Sequence, residues 1–147
     1  MRICIVTPSE EFSASAGVRI RYDRLAQAAS ALGHDIFVQP IVNLQSRGDL
    51  RHDVYVFAKT YTPAAALLAL RMRQNGCRVG LDVFDDYFTQ YTDVRLLRYR
   101  CWLADMIPVA DFVLCSTPRL AAALAPLTGG MPLCVIADPS DIIDQQL

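Results

Sequence analysis

Short apolar runs alternate along this chain with stretches in which apolar residues recur at helical spacing. The runs are rich in β-branched side chains and are bounded by proline, glycine or polar residues, which is typical of buried strands. They predict six strands, at residues 3–6, 36–38, 53–58, 77–84, 111–115 and 132–136. The amphipathic stretches predict helices at residues 18–32, 63–75, 92–107 and 119–127. Residues 9–17 and 40–52 are polar and irregular, so we predict loops there.

Strands that alternate with helices predict an α/β fold. We expect a doubly wound, Rossmann-like parallel sheet of about six strands with helices on both faces. The usual right-handed crossovers predict the strand order 3-2-1-4-5-6. The 147 residues are predicted to form a single domain, residues 1–147, and a hydrophobic content of 53% suits a sheet that is covered on both faces.

The predicted strand order also predicts where a ligand binds. Its switch point lies between the first and fourth strands, and ligands of such sheets bind at the switch point, outside the carboxyl ends of the strands. Residues 7–17 and 82–88 then face each other across one crevice. Ser116 and Thr117, which follow the fifth strand, lie beside them.

The first side of this crevice is serine-rich but carries no known nucleotide fingerprint. It lacks the glycine pattern of a dinucleotide-binding loop and the lysine of a P-loop. Hydroxyls and amides around Ser13, Ser15 and Gly17 can bind a phosphate at a helix N-terminus, or the serines can simply cap the helix. Arg19 and Arg21 lie where the helix dipole disfavours cations, so they indicate an anionic ligand unless both are solvated.

The second side of the crevice is acidic. Asp82 interrupts an apolar strand, and Asp85 and Asp86 follow it closely. Carboxylates at this edge can accept hydrogen bonds from sugar hydroxyls, act as a general base or bind Mg²⁺. In the structural alternative, Asp85 or Asp86 caps the next helix, and Asp82 pairs with an arginine because a buried carboxylate costs free energy unless it is paired.

Charge and composition narrow the classes of partner. A formal net charge of −1 predicts no nucleic acid partner. We expect neither a membrane span nor a signal peptide, because the apolar runs are too short, and therefore a cytoplasmic location. The five cysteines have no metal-ligand spacing, so buried free thiols and no metal are predicted. Arginines are mixed with aromatic residues at 91–102. This pattern is compatible with a helix that contacts a membrane surface and also with a helix that simply packs on the sheet.

Several segments together resemble a known family. They are Met-Arg-Ile-Cys-Ile-Val-Thr-Pro at residues 1–8, Gly-Val-Arg-Ile at 17–20 and Ala-Leu-Gly-His-Asp-Ile-Phe-Val at 31–38, with further segments at 53–57, 76–88, 110–120 and 135–141. In this order they are similar to the N-terminal half of GT-B glycosyltransferases of the retaining family 4 kind. The resemblance covers nearly the whole chain.

This resemblance implies a nucleotide-sugar-dependent glycosyl transfer in a cleft between two Rossmann-like domains. It implies that the chain is the acceptor-binding half of such an enzyme and is inactive without the C-terminal domain, which it lacks. A nucleotide sugar would be the co-substrate, with no other cofactor. The acceptor would be a sugar, a lipid-linked or a small molecule, and a homodimer is left open.

The resemblance also assigns roles to individual residues. Asp82 is the catalytic candidate. The resemblance implies that the donor's phosphates are bound by Ser15, Gly17, Val18 and Arg19. It implies that the acceptor is bound by Asp85, Asp86, Tyr87, Ser116 and Thr117. The competing hypothesis is a stand-alone flavodoxin-like or Rossmann-like module that binds a ligand or another protein.

Overall fold

The computed structural model describes residues 1–46 and 50–137, and in these residues six parallel strands form one sheet. The strands are β1 (Arg2–Thr7), β2 (Asp35–Pro40), β3 (Val54–Ala58), β4 (Arg78–Val83), β5 (Phe112–Cys115) and β6 (Leu133–Val135). The predicted α/β fold with a Rossmann-like parallel sheet is therefore confirmed. Part of the predicted loop, residues 47–49, and the last residues of the motif at 135–141 lie outside the described residues.

The strand order is β2-β1-β3-β4-β5-β6, so the predicted order 3-2-1-4-5-6 is wrong. After β2 the chain returns across β1 and adds β3 on the other side, where Ile3 pairs with Val54. The chain thus reverses direction one strand earlier than predicted. Both orders satisfy right-handed crossovers, so the hydrophobic pattern cannot choose between them. The switch point lies between β1 and β3 instead of beside β4.

Helices connect all of the consecutive strands. They are α1 (Glu10–Ser13), α2 (Ala16–Val18), α3 (Arg24–Ala31), α4 (Ile41–Ser46), α5 (Pro63–Gln74), α6 (Leu97–Met106) and α7 (Pro118–Leu124). A π-helical turn spans Arg19–Asp23, and 3₁₀ helices span Val94–Leu96, Ile107–Val109 and Ala125–Leu127. The four predicted helices are present. The predicted loops at 9–17 and 40–52 are wrong in part, because they contain α1, α2 and α4.

The short helices of residues 10–18 have a local cause. Ser9 caps α1 by accepting a hydrogen bond from the Phe12 backbone N–H at 3.1 Å, and Ser15 caps α2 in the same way from Val18 at 3.4 Å. Such caps satisfy amide groups that would otherwise lack partners. Serine spacing therefore creates helical turns here in a segment too polar to show helical periodicity.

Both faces of the sheet are buried. Successive side chains of β3 lie on opposite faces and so belong to two different cores. Tyr55 and Phe57 belong to the larger core, together with residues of α4 to α7, and we call this side the α5 face. Val54, Val56 and Ala58 belong to the smaller core, together with Val18 and Tyr22, and we call that side the α3 face. All five side chains of β3 are buried, which explains its uninterrupted apolar sequence.

Candidate functional site

The candidate site lies at the carboxyl edge of the sheet, where β3, β4 and β5 end beside the segment that follows β1. Lys59 comes directly after β3, Asp85 and Asp86 follow β4, and Ser116 and Thr117 follow β5. This edge is where ligands of open α/β sheets bind. The observed strand order brings Lys59 beside the predicted residues, because β3 lies between β1 and β4.

Asp82 lies in a buried ion pair on the α3 face. Its side chain is 1% exposed, and its two oxygens accept hydrogen bonds from Arg21 Nε and Nη2, each at 2.8 Å. The Tyr22 hydroxyl donates a short hydrogen bond to the same carboxylate. Arg21 and Tyr22 reach it from the π-helical turn, and Ala58 pairs with Asp82 in the sheet.

This network joins three segments that are distant in sequence. Arg21 Nη1 also donates to the carbonyl of Ile136 at 3.1 Å, beyond the end of β6. Burial, and after it the Asp82 carboxylate, raises the pKa of Tyr22, so this hydroxyl stays protonated. The geometry matches the structural alternative in which Asp82 pairs with an arginine. The catalytic role that the resemblance gives to Asp82 stays a prediction.

Lys59 has a left-handed backbone conformation, with φ at +54°, which is uncommon for a residue other than glycine. Its Nζ lies 3.0 Å from Asp85 Oδ2 and 5.1 Å from the centre of the Phe84 ring. The Arg21 guanidinium lies 4.7 Å from the same ring centre, so Phe84 contacts two cations. Unusual backbone conformations concentrate at functional sites, so Lys59 strengthens the case for this edge.

Sequence reasoning did not assign Lys59 to the site, although two signals were present. Lys59 is the one lysine among fourteen basic residues, and it ends an apolar strand at the edge where ligands bind. The predicted strand order placed that strand on the far side of the sheet from β4. Because the predicted strand order was wrong, Lys59 was not expected near the end of β4.

Four of the predicted acceptor-binding residues line one cleft. It has a volume of about 360 Å³ and is bounded by Phe84, Asp85, Asp86, Ser116, Thr117, Arg119, Leu120 and Ala123. Ser116 Oγ donates to the Phe84 carbonyl at 3.0 Å, which holds the ends of β4 and β5 together. Thr117 Oγ1 caps α7 by accepting from the Leu120 amide at 3.1 Å. Asp85 and Arg119 bring opposite charges to the cleft wall.

Asp86 organises the turn below the cleft. Its Oδ1 accepts hydrogen bonds from the backbone amides of Phe88 at 3.2 Å and Thr89 at 3.0 Å, and its Oδ2 accepts a short hydrogen bond from the Thr89 hydroxyl. Partial burial alone would raise the pKa of Asp86, but these hydrogen bonds and the charge of Arg119 lower it overall. Asp86 therefore stabilises a local turn, whereas the prediction that Asp85 or Asp86 caps the following helix is wrong, because Asp93 caps the 3₁₀ helix Val94–Leu96.

We expect the Asp86→Ala variant to lose about 1 kcal/mol of stability near neutral pH, because three donors lose an ionised acceptor. The folded-state pKa lies below the unfolded one, so this contribution is full above about pH 4 and is lost as pH falls through the folded pKa. Urea unfolding across this range should show the two proteins converging in acid. Asp86→Asn, which keeps one acceptor oxygen without the charge, is the control and should lose less. A difference that does not change with pH would contradict this account.

The four residues predicted to bind the donor's phosphates lie at the start of the helical segment after β1. Ser15 caps α2, Val18 is buried in the core of the α3 face, and Arg19 is exposed. Gly17 has open space around it, because an added Cβ would meet nothing closer than Ser15 Oγ at 4.0 Å. None of the four lines the 360 Å³ cleft. Phosphate binding by this segment stays a prediction.

Tyr87, the fifth predicted acceptor residue, lies outside the cleft in an aromatic cluster. Its ring stacks on Tyr99 at 4.7 Å between centres, and Tyr61 meets Tyr99 edge-on at 4.6 Å. Trp102 completes the group at 5.0 Å from Tyr61. The cluster fixes the segment after β4 against α6. Tyr87 thus supports the turn that carries Asp85 and Asp86.

The described residues contain neither a metal-binding cluster nor a membrane-spanning helix. Within residues 1–46 and 50–137, no group of three histidine, cysteine, aspartate or glutamate side chains is placed to hold a metal ion. In the same part of the chain, no helix is long and apolar enough to cross a membrane. The five cysteines are free thiols, and the prediction that they are buried is wrong in part: Cys4 and Cys115 are buried, Cys77 is half-buried, and Cys101 and Cys134 are exposed.

The fold and this edge define a class: doubly wound α/β domains with a polar cleft outside the carboxyl ends of their strands. Comparison with known proteins adds nothing more specific, since no protein-family model and no curated protein sequence matches the chain. The function must therefore be argued from the site itself.

Proposed function

We propose that the chain is the acceptor-binding half of a nucleotide-sugar-dependent glycosyltransferase. One observation carries the proposal: Asp85, Asp86, Ser116 and Thr117, all assigned to the acceptor by the resemblance, line a single cleft at the ligand-binding edge. The free thiols suit a reducing compartment, so we infer a cytoplasmic enzyme.

The chemistry of the cleft suits a polyhydroxylated acceptor. Asp85 keeps 43% of its side-chain surface exposed and can accept hydrogen bonds from hydroxyl groups, while Arg119 is exposed and can donate. Phe84 also lines the cleft and contributes apolar surface of the kind on which a sugar ring packs. In this proposal Lys59 orients Asp85 through their 3.0 Å ion pair.

Transfer itself needs more than this cleft. The proposal assigns the nucleotide and most of the donor site to a C-terminal domain, so we expect no turnover by residues 1–147 alone. Ser15, Gly17 and Arg19 would contact only the donor's phosphates from this side. Asp82 is the proposed catalytic residue, although its bidentate pair with Arg21 would have to open for it to act as a base.

Saturation-transfer NMR with glucose, mannose, N-acetylglucosamine and myo-inositol tests acceptor binding directly. We expect weak binding of at least one of them, and its loss in Asp85→Ala and Arg119→Ala, because these variants remove the charged side chains that line the cleft with surface still exposed. Asp93→Ala, a carboxylate outside the cleft, is the matched control and should bind normally. Equal signals in all four proteins, or none in the wild type, would refute the acceptor cleft.

A separate assay tests the other half of the proposal. The purified chain is incubated with UDP-glucose and GDP-mannose in the presence of the same four sugars, and release of nucleoside diphosphate is measured. We expect none. Sugar-dependent release by these 147 residues would refute the assignment of the donor site to another domain.

One observation favours a second candidate, a flavodoxin-like binding module. The order β2-β1-β3-β4-β5, with its switch point between β1 and β3, is the order of flavodoxin-like sheets, which bind a flavin at that point. Ser13 and Ser15 lie near it and can offer hydroxyls to a phosphate. Quenching of flavin mononucleotide fluorescence by the protein would favour this candidate over the glycosyltransferase half.

A further inference from the structure

The solvent side of α6 carries an apolar stripe. The 3₁₀ turns before and after the helix extend it to five exposed positions: Val94, Leu97, Cys101, Ala104 and Pro108. Val94 is 80% exposed and Leu97 is 52% exposed. The positions recur at intervals of three and four residues, which is the spacing that places side chains in one line and that two packed helices use.

The opposite side of the same helix already packs on the protein. Trp102, Leu103 and Met106 are buried in the core of the α5 face. A surface helix normally carries apolar residues on this inner side and polar residues outside. The α6 helix instead carries a line of apolar residues between the charged positions of its outer side, and the packing of this chain does not explain that stripe.

Charged residues beside the stripe are arranged in a self-complementary way. Arg98 and Asp105 are exposed, seven residues apart, and lie along the same flank. When two copies of one helix pack antiparallel about a two-fold axis, that flank meets itself in the opposite direction. Arg98 of one copy then faces Asp105 of the other, and the same pair forms again across the axis.

We propose that the α6 stripe is the docking surface for a second copy of this chain, through an antiparallel contact between the two α6 helices. Leu97 of each copy packs near Pro108 of the other, and Cys101 packs near Ala104. The Arg98–Asp105 pairs border the contact and fix its direction. This inference does not depend on the proposed function, because the stripe and the cleft involve different residues.

An anionic membrane is a poorer match for the same stripe. Arg95 is engaged by Asp93 at 2.7 Å, and Arg100 donates to the Gln90 carbonyl at 2.9 Å. Arg98 donates to the Tyr99 hydroxyl, and Asp105 on the same flank balances its charge. Membrane-binding surfaces rely on clustered, unbalanced basic residues, and phosphate groups would repel Asp105. The balanced charges favour a protein partner with the same pattern.

Sedimentation velocity over a range of concentrations tests the proposal on the full chain. The wild type should associate reversibly to a dimer. Leu97→Asp should weaken the dimer by at least about tenfold in Kd, since it places a carboxylate in the apolar contact. Leu67→Asp is the matched control: Leu67 is also an exposed leucine, at 71%, but lies on α5, and its variant should dimerise like the wild type.

Charge exchange tests the antiparallel direction. Arg98→Asp and Asp105→Arg should each weaken the dimer by at least about tenfold, because each places like charges opposite one another. The double variant restores opposite charges and should return Kd to within about threefold of the wild-type value. Circular dichroism spectra establish that every variant is folded. The antiparallel arrangement would be refuted if the single variants dimerise with the wild-type Kd. It would also be refuted if the double variant dimerises as weakly as the single variants.

Two further results would overturn the proposal. The first is a monomer at every concentration tested. The second is a monomer that sediments with phosphatidylserine-containing vesicles and loses this binding in Leu97→Asp, which would make the stripe a membrane contact. A short bis-maleimide should link Cys101 to its copy in the dimer. This product should vanish in Cys101→Ser and persist in Cys134→Ser, whose thiol is also exposed in the wild type.

Discussion

Asp82→Asn is expected to destabilise the chain by about 3–5 kcal/mol, because breaking a buried ion pair leaves a charge without compensation. The variant loses the ionised partner of the Arg21 guanidinium, and the Tyr22 hydroxyl loses an anionic acceptor. Urea unfolding should show a lower midpoint with an unchanged slope. An effect below about 1 kcal/mol would show that the pair is weaker than its burial implies.

Two controls test whether the loss of stability comes from breaking a buried ion pair. Asp85→Asn removes a partly exposed pair with Lys59 and should cost about 0–1 kcal/mol. Replacing both partners by apolar residues, as in Arg21→Met with Asp82→Leu, should recover much of the loss, because no charge remains buried. If the double variant is as unstable as Asp82→Asn, the cost comes from packing and not from the unpaired charge.

The expected instability also limits how a catalytic role for Asp82 can be tested. Loss of activity in an Asp82 variant of a longer enzyme would follow from unfolding alone. The folded fraction therefore has to be measured beside the rate. Tyr22→Phe is a milder probe, since it removes one hydrogen bond to Asp82 and keeps the ion pair.

The elements of this fold are readable from its sequence, whereas their spatial order is not. The strand β3 is buried on both faces and so is apolar throughout, and α5 begins with proline directly after Thr62, so both carry strong local signals. The side of β1 on which β3 pairs depends on the free energy of whole packed layers. The uniformly apolar pattern of β3 does not distinguish the two sides, and both outcomes obey the same crossover rule.

The candidate site was predictable to a similar degree. The Asp85, Asp86, Ser116 and Thr117 positions follow from strand ends, which any parallel sheet brings to one edge. The partner of Asp82 lies 61 residues away, and the chain holds thirteen arginines, so spacing alone could not select Arg21. The fold selects it, because the π-helical turn brings Arg21 and Tyr22 within hydrogen-bond distance of Asp82.

Gly80 marks a contact between strands that the sequence alone does not reveal. In β4 it pairs with Phe112 of β5, whose ring lies over the glycine. The same ring borders an apolar groove of about 220 Å³ on the α3 face, with Ile3, Leu25 and Leu114 among its other lining residues. A side chain at position 80 and the Phe112 ring would occupy the same space, which is why the strand contains a glycine.

Gly80→Ala should therefore destabilise the chain by about 1–2 kcal/mol, although alanine is normally the better residue in a strand. The added Cβ would lie well inside van der Waals contact with the end of the Phe112 ring. The decisive measurement is the same substitution in a Phe112→Ala background, where we expect it to be neutral or stabilising by up to about 1 kcal/mol.

Gly17→Ala is the matched control, because the space around Gly17 is open and the helix should gain about 0.5–1 kcal/mol. If Gly80→Ala is equally harmful with and without the Phe112 ring, the glycine is required by the strand itself and not by its neighbour. If it is harmless in the wild type, the ring moves aside at low cost, and the adjacent groove is the space that would receive it.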